Sequence, residues 1–462
     1  MKNKCFQLLP WVPAAALLAG ATATAQDFQA RMGEPLHGLS ASDLVLFEMG
    51  KTAFNANLSQ AEGLGPVFND TGCGACHGTP AAGGFSTTVV TRFGAQGPPF
   101  DPLANLGGSL LQSQAIDIMC EEMVPPQADV MTFRITPHTF GAGLAQRVPD
   151  SDLMDLESNP PSNDVSGIAH MVQLVENPAV TKVGRFGWKS QVATMLSFSA
   201  DAGLNEMGLT NRFLTTENAP NGDLVLLAQC DTVADPEDGP DAMGLDLIDH
   251  FTNFQEMLAP PPQTPKSGMT GEAIFNAIGC ADCHVASFTT DVDPNPAFSL
   301  KELKPYSDFL LHDMDTLGDG IVQGQGTERE IRTMPLWGIG QREALLHDGR
   351  STGGTFEDNV DDAILQHAGE ALNSRNAYDA LTAMEKQQIA DFMRSLGRAE
   401  FDFENDNDLD EFDYFFIFPD FQGPGTAYTP DDAAAISDVD CDGDFDMRDW
   451  AVLQQAYTGQ VL

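Results

Sequence analysis

The pentapeptides Cys73-Gly-Ala-Cys76-His77 and Cys280-Ala-Asp-Cys283-His284 decide how this chain folds. Both have the spacing C-x-x-C-H, which is the attachment signature of c-type haem. The chemistry explains the spacing, because two thiolates add to the vinyl groups of one porphyrin and the next residue presents its imidazole to the iron. We therefore expect two covalently bound haem c groups, attached at four cysteines, with His77 and His284 as the proximal iron ligands.

A zinc knuckle or a disulfide loop is the alternative for such cysteines. A zinc site needs paired C-x-x-C units that close around one ion, whereas these units lie about two hundred residues apart and each carries its own histidine. Haem is therefore the prediction. Cys120 and Cys230 lie between the two motifs, and in an oxidising compartment we expect either a mutual disulfide or two separate thiols.

The first 25 residues predict a cleaved export signal. Lys2 and Lys4 precede an apolar run from Leu8 to Gly20, and Ala23-Thr24-Ala25 is a small-residue cleavage site. The run is too short for a membrane anchor, and no later segment approaches a membrane span. We expect an exported protein that resides in the periplasm, on the cell surface or in the medium.

The composition is strongly acidic, with 23 Lys and Arg against 67 Asp and Glu and a net charge of −44 at pH 7. A charge of this size excludes nucleic acid and anionic membranes as partners, because their phosphates would repel it. The hydrophobic content of 42% is ordinary for a globular protein. The length of 462 residues predicts two or three domains.

Three segments carry helix signals. Ser40–Phe54 predicts a capped amphipathic helix before the first motif, and Gly271–His284 predicts one helix that delivers the second motif. Thr382-Ala-Met-Glu385 is a capping box that opens a third helix, and Gly397 ends it. The predicted fold class is therefore all-α, with long loops.

Residues 259–265 (APPPQTP) predict a stiff linker between two units. We expect cytochrome c-type haem domains at residues 27–259 and 266–400, each burying its porphyrin among helices. Residues 401–462 differ in composition and form a third, small domain.

Several motifs resemble the di-haem oxidoreductase family, whose members are labelled peroxidases or thiol oxidoreductases and are distant relatives of the bacterial di-haem cytochrome c peroxidases. Together they span residues 35–397. The motifs are 63–69 (GLGPVFN), 184–189 (GRFGWK), 305–314 (PYSDFLLHDM), 335–338 (PLWG) and 347–350 (HDGR).

The resemblance implies different tasks for the two irons. An iron with two strong protein ligands passes electrons, whereas an iron with an open position can bind peroxide or oxygen. Residues 362–367 (DAILQH) resemble the segment where relatives place the distal ligand of the second haem. This implies ligation by His284 and His367. The competing ligands are His312, His347, Met314 and Met334.

The resemblance places substrate chemistry at the first haem. Trp188 resembles the tryptophan that lies between the haems of relatives, and Glu206-Met207 resembles a Glu-Met pair near their peroxide-binding face. A carboxylate there can take one proton from peroxide and return it to the departing oxygen. We therefore expect Glu206 to act as acid and base and Trp188 to relay electrons; a core indole and a solvated carboxylate are the plainer alternatives.

Other residues of the resemblance leave alternatives open. Phe198 stands where the peroxidase pattern has a glutamine, and a phenyl ring cannot position peroxide. His138 and His170 lie in the same half and are alternative caps for the first iron, which would leave only electron transfer. Arg350 is expected either to pair with a haem propionate or to form a surface salt bridge.

The acidic tail contains two similar segments, residues 402–413 and 438–449. Positions 1, 3, 5, 9 and 12 are acidic in both, and hard oxygen ligands at this period wrap one Ca²⁺. Asn407 takes the place of the turn glycine in the first segment, because asparagine also enters the left-handed region. The predicted ligands of two Ca²⁺ ions are Asp402, Glu404, Asp406, Asp410, Asp413, Asp438, Asp440, Asp442, Asp446 and Asp449.

The paired loops resemble a dockerin-type domain, which implies calcium-coupled folding and docking to a cohesin-like scaffold. For the haem regions we expect a small electron-transfer protein, of the cytochrome c or cupredoxin type, as partner. The leading hypothesis is an exported di-haem oxidoreductase with electron transfer through the second haem and peroxidase-like chemistry at the first. The rival is a pure electron-transfer cytochrome that the tail docks to a surface complex.

Overall fold

The computed structural model describes residues 29–162, 164–264, 269–418, 421, 423–428, 437–439 and 444–457. The predicted export signal, the last residue of the predicted linker, and the predicted calcium ligands Asp440 and Asp442 lie outside these ranges. Among the described residues, no helix has the length and apolar character that crossing a membrane requires.

The fold mixes helices with short strands, so the all-α prediction is wrong. In the described ranges the strands form six small antiparallel sheets. The strands are β1 (Val67–Phe68), β2 (Ser86–Gly94), β3 (Leu110–Leu111), β4 (Gln114–Ala115), β5 (Val130–Thr136), β6 (Met171–Gln173), β7 (Thr181–Val183), β8 (Phe288–Thr289), β9 (Glu302–Leu303), β10 (Leu311–Asp313), β11 (Glu330–Arg332), β12 (Ala344–Leu345) and β13 (Ser351–Thr352).

The largest sheet has the order β3-β2-β5. Its two long strands are rich in valine, threonine and isoleucine, which favour the extended backbone. Thr91 lies opposite Phe133 in the antiparallel register, and the register shifts between Ser86 and Val89. This sheet follows the first haem motif and precedes His138, so it positions part of the first site.

The α-helices of the described chain are mostly short. They are α1 (Ala41–Phe54), α2 (Cys73–Cys76), α3 (Ala142–Ala145), α4 (Asp150–Ser158), α5 (Met195–Met207), α6 (Leu224–Cys230), α7 (Leu247–Met257), α8 (Thr270–Ala277), α9 (Phe356–Leu365), α10 (Leu372–Asp379), α11 (Ala383–Ser395), α12 (Glu411–Ile417) and α13 (Met447–Ala456).

Two of the three predicted helices are confirmed. The Ser40 side chain caps α1, accepting from the backbone of Asp43, and Thr382 and Glu385 form the predicted capping box of α11. The prediction of one helix from Gly271 to His284 is wrong. Helix α8 ends at Ala277, because Gly279 adopts a φ of +87° and interrupts the helix before the second motif.

The largest hydrophobic core contains residues from both sides of the proline-rich segment 259–264. Phe54, Phe254 and Phe140 pack in the same cluster as Phe309 and Trp337. A second cluster lies around α8, α9 and α11, and a third belongs to the acidic tail. The predicted domain boundaries at 259 and 400 stay predictions.

Cys120 and Cys230 form a disulfide, with their Cα atoms 6.1 Å apart. The mutual pairing expected for these two cysteines is therefore confirmed. The bond joins the start of the loop after β4 to the end of α6. Both sulfurs are buried.

Candidate functional site

The first haem motif forms the one-turn helix α2, and His77 is its C-terminal cap. Its Nδ1 lies 3.3 Å from the carbonyl oxygen of Gly84. Desolvation by the surrounding protein lowers the pKa of His77 to about 4, so the imidazole is neutral at physiological pH. A neutral ring whose Nδ1 donates to a carbonyl keeps Nε2 for a metal.

The second motif repeats this arrangement. Nδ1 of His284 lies 2.9 Å from the carbonyl oxygen of Tyr306, and desolvation lowers the pKa of His284 to about 4. Phe275 lies 6.0 Å from the His284 ring at 57°, and Phe54 lies 6.0 Å from the His77 ring at the same angle. The two histidines are therefore held in matching environments.

The second motif opens onto a cavity that we call the second cavity, which is larger than the cavity at His77. Cys280, Cys283 and His284 lie on its wall, and His367 at the end of α9 lines the same space. Nδ1 of His367 lies 2.8 Å from the carbonyl oxygen of Ala363, and burial lowers the pKa of His367. The structure thus brings together the two residues expected to ligate the second iron.

Two of the competing ligands for this iron are already engaged. Nε2 of His312 lies 2.8 Å from Asp308 and its Nδ1 lies 2.9 Å from Glu370, and these carboxylates hold the pKa of His312 well above its usual range. The sulfur of Met334 accepts from Arg332 at 2.7 Å. These contacts leave neither residue available to an iron.

Met314 and His347 also line the second cavity. Nε2 of His347 is buried and has no hydrogen-bond partner, and burial lowers its pKa to about 4. The ring lies 6.1 Å from that of Trp188, in an edge-to-face arrangement. His347 therefore remains an alternative to His367.

The smaller cavity, which we call the first cavity, lies at His77. His138 and Phe198 line it with His77. Both ring nitrogens of His138 are buried and have no hydrogen-bond partner, and the ring stacks on Phe140 at 5.4 Å. Burial lowers the pKa of His138 well below its usual value. A buried neutral imidazole with no partner is a strong candidate for a metal ligand.

His170, the other expected cap, has no ring nitrogen left to bind a metal. Its Nδ1 lies 2.8 Å from the carbonyl oxygen of Lys189, and its Nε2 accepts from the backbone of Gln325 at 3.1 Å. Both nitrogens are therefore occupied, and His170 does not line either cavity.

Trp188 lies on the wall between the cavities. Its indole lines the second cavity, while Gly187 before it lines the first. The indole nitrogen donates to the carbonyl oxygen of Ile135 at 2.9 Å, which fixes the buried ring. This location is the one that the resemblance implies for an electron relay.

Glu206 lies near the first motif but not on the wall of the first cavity. Its Oε2 accepts from the side-chain amide of Asn69 at 2.7 Å, and burial raises its pKa while Arg92 opposes the shift. The carboxylate also raises the pKa of the Cys76 thiol. Glu206 is therefore a neighbour of Cys76 that does not line the first cavity.

Arg350 lines neither cavity. Its guanidinium is 42% exposed and pairs with Asp348 at 2.5 Å, as in the plainer of its two expected roles. Arg332 and Arg342 do line the second cavity, although no motif in the sequence singles them out. Arg332 also lines the first.

The residues present fit two haems. The second cavity has Cys280, Cys283 and His284 on its wall, and the first has the motif histidine His77. The linings of the two cavities include buried polar atoms without partners, which are Nδ1 and Nε2 of His138, Nε2 of His347, Nε1 of Trp337 and Nη2 of Arg342. A porphyrin with its iron and carboxylates would satisfy such donors and acceptors.

The two acidic segments of the tail fold alike. Phe403 N donates to Asp413 at 2.6 Å, and Val439 N donates to Asp449 at 2.9 Å. Asp410 and Asp446 cap the helices α12 and α13 in the same way. In the described residues, the two segments therefore share these backbone hydrogen bonds and helix caps.

Each segment gathers carboxylate oxygens within 4.8 Å of one another. The groups are Glu404, Asp410 and Asp413 in the first segment and Asp444, Asp446 and Asp449 in the second. Burial and neighbouring carboxylates raise the pKa of Asp402 to about 7. Asn407 has a φ of +71°, which confirms its predicted left-handed conformation.

The remaining predicted calcium ligands have other contacts. Asp402 accepts from the backbone of Asp406 and Asn407, at 3.1 and 2.9 Å. Asp406 accepts from the backbone of Asp408, and Asp438 accepts from the hydroxyl of Tyr428 at 2.6 Å. Asp444, which the position pattern did not select, lies in the second group instead.

The two cavities share Arg332, Met334 and Pro335 on their walls, and each is lined by a buried histidine with an unpartnered ring nitrogen, an arrangement that suits a protein with two bound prosthetic groups. The model of a known family, "Di-haem oxidoreductase, putative peroxidase", matches residues 114–396. Because the match covers more than half of the chain, the protein belongs to this family. The match begins after the first motif and ends before the acidic tail. No curated protein matches the chain.

Proposed function

We propose that this chain is an exported di-haem oxidoreductase of the c type, with one haem attached at Cys73 and Cys76 and the other at Cys280 and Cys283. The observation that carries the proposal is the pair of cavities, each with a neutral motif histidine on its wall. The haems supply one-electron redox chemistry when bound. The chain holds, orients and shields them.

The second cavity supports an electron-transfer role. His284 and His367 line it together, and each donates through Nδ1 to a backbone carbonyl, which leaves Nε2 for the iron. Trp188 lies in the wall towards the first cavity. A small protein of the cytochrome c or cupredoxin type is the proposed electron partner.

At the first cavity, the geometry best supports a site with no open position. His138 lines the same cavity as His77, and it makes no hydrogen bond that would compete with a metal. Phe198 on this wall offers no polar group to orient peroxide. The best-supported function is therefore electron transfer through two saturated irons.

Peroxidase-like chemistry at the first haem is the second candidate. Glu206 favours it, because burial raises the pKa of this carboxyl above its usual value, which is the direction that a general acid requires. Asn69 fixes its orientation at 2.7 Å. In this proposal Glu206 carries a proton to and from the substrate oxygen, and Trp188 relays electrons.

Electron paramagnetic resonance and visible spectra of the ferric protein separate the two functions. We expect only low-spin haems in the wild type and a high-spin, cyanide-binding haem in His138→Ala. His170→Ala is the matched control, because His170 is a buried histidine of the same half whose nitrogens are both bonded. A high-spin haem in the wild type, with peroxide turnover that Glu206→Gln abolishes, would establish the peroxidase instead.

For the acidic tail we propose two Ca²⁺ ions in a dockerin-type domain that docks the enzyme to a cohesin-like scaffold. The repeated hydrogen bonds of the two segments and their clustered carboxylates support this. Phe412, Phe415 and Phe416 on α12 are exposed and offer a docking face.

Calcium titration followed by circular dichroism tests the tail. Calcium should bind and increase the helical signal, because it neutralises carboxylates that otherwise repel one another. Asp413→Asn should weaken binding, whereas Asp391→Asn on α11, outside the tail, should not. Unchanged calcium binding in Asp413→Asn would contradict the assignment.

A further inference from the structure

The wall between the two cavities carries two arginines. Arg332 is 5% exposed and lines both cavities. Arg342 lines the second cavity, and its guanidinium lies 5.2 Å from the ring of Phe85, which in turn lies 4.7 Å from the ring of His138 in the first cavity. Both cations therefore lie between the two sites.

Arg332 is fixed in place by the segment that bears the tryptophan. Its Nε donates to the carbonyl oxygen of Gly187 at 2.7 Å, and its backbone nitrogen donates to the carbonyl oxygen of Trp188 at 2.9 Å. A further guanidinium nitrogen contacts the sulfur of Met334. These bonds hold the charge at the wall and leave it without a carboxylate in direct contact.

Neither arginine has an anionic partner of the usual kind among the described residues. Burial lowers the pKa of Arg332 to about 9, opposed by the more distant charge of Asp308, which is itself engaged by His312. Burial alone lowers the pKa of Arg342 to about 10, and its Nη2 is buried without a hydrogen-bond partner. Each of these buried cations requires an anion.

We propose that Arg332 and Arg342 form one anion-binding wall that receives the propionate carboxylates of both haems. This inference rests on the proposed c-type haems, whose carboxylates are the anions that both cavities would contain. A guanidinium binds a carboxylate through two parallel hydrogen bonds. Because a ferric haem is more positive than a ferrous one, cations at this wall favour reduction of both haems.

The test is a redox titration of the purified holoprotein followed by visible and electron paramagnetic resonance spectra. In Arg332→Gln and in Arg342→Gln, the reduction equilibrium constants of both haems should fall at least tenfold, which is 59 mV for a one-electron couple. Arg332→Lys keeps the charge, so the reduction equilibrium constants should fall less in this variant than in Arg332→Gln. Arg350→Gln is the matched control, because it removes a cation outside both cavities.

The outcomes separate this inference from the function on which it rests. A haem content below two per wild-type chain, measured as pyridine haemochrome, would overturn the proposed haems and the wall with them. With two haems present, a shift of only one haem, or shifts no larger than in Arg350→Gln, would overturn the shared wall alone. Equal shifts in Arg332→Lys and Arg332→Gln would show that the charge is not the cause.

Discussion

A buried ion cluster next to Trp188 provides the sharpest test of what stabilises the site. Asp319 accepts from Arg134 at 2.5 and 2.9 Å and from Lys189 at 2.9 Å, and all three side chains are at most 4% exposed. Lys189 also donates to two backbone carbonyls, one of them that of Thr327 at 2.7 Å. The cluster joins strand β5, the Trp188 segment and the loop before β11.

Asp319→Ala would leave two buried cations with no carboxylate in contact. Removing one partner of a buried ion pair costs about 3–5 kcal/mol, because the remaining charge loses its compensation in a medium of low polarity. We expect a loss of this size in the free energy of unfolding. Urea titration followed by circular dichroism measures it.

The matched control is Asp313→Ala. Asp313 also pairs with an arginine at 2.9 Å, but Arg329 and Asp313 are 52% and 42% exposed. A surface pair of this kind contributes about 0–1 kcal/mol. The reasoning would be refuted if Asp319→Ala and Asp313→Ala destabilised the protein equally. The double variant Asp319→Ala with Lys189→Met should recover part of the lost free energy of unfolding, because it removes one of the two uncompensated charges.

Three further changes have defined outcomes. His312 lowers the pKa of Glu370 to about 2; the stability from this pair is complete above about pH 4 and is lost as the pH falls towards 2. Glu370→Gln should therefore unfold less steeply with acid in a pH titration, and an unchanged slope would contradict the pairing. The double variant Cys120→Ser with Cys230→Ser opens a loop of 110 residues and should lower the free energy of unfolding by about 2–5 kcal/mol, as measured by urea titration. No loss would mean that the disulfide does not restrict the unfolded chain. Thr382→Ala removes the cap of α11 and should lower the free energy of unfolding by about 1 kcal/mol. Thr382→Ser keeps the capping hydroxyl and should leave the stability near that of the wild type.

Local signals in the sequence were sufficient for some elements. Ser40 and Thr382 each place a hydroxyl where it can cap a helix, and the capping hydrogen bonds depend on residues only three positions away. The C-x-x-C-H motifs and the tail repeat are equally local. Such features can be predicted because neighbours in the chain determine them.

The remaining features depend on contacts between distant residues. Strands β2 and β5 are separated by a long loop in the sequence and pair only in the folded chain. Their valines and threonines favour a strand through contacts across the sheet, which the sequence does not show. Arg332 belongs to the site because folding brings its segment to both cavities, and no motif in the sequence indicates this. From the sequence His138 is one of two candidate caps, and only the structure distinguishes its unpartnered ring nitrogens from the bonded ones of His170. The sequence does not predict the break at Gly279, because glycine accepts both helical and left-handed backbone and only the structure shows its φ of +87°.

The matching of Phe54 against His77 with Phe275 against His284 has a practical consequence. One phenyl ring lies at the same separation and tilt from each imidazole. The environment of one histidine can therefore serve as the reference for the environment of the other. A substitution of Phe54 removes the ring contact at His77 and leaves the contact of Phe275 with His284 in place in the same sample. A change at one histidine that the other does not show can then be assigned to the substitution, without comparing separate preparations.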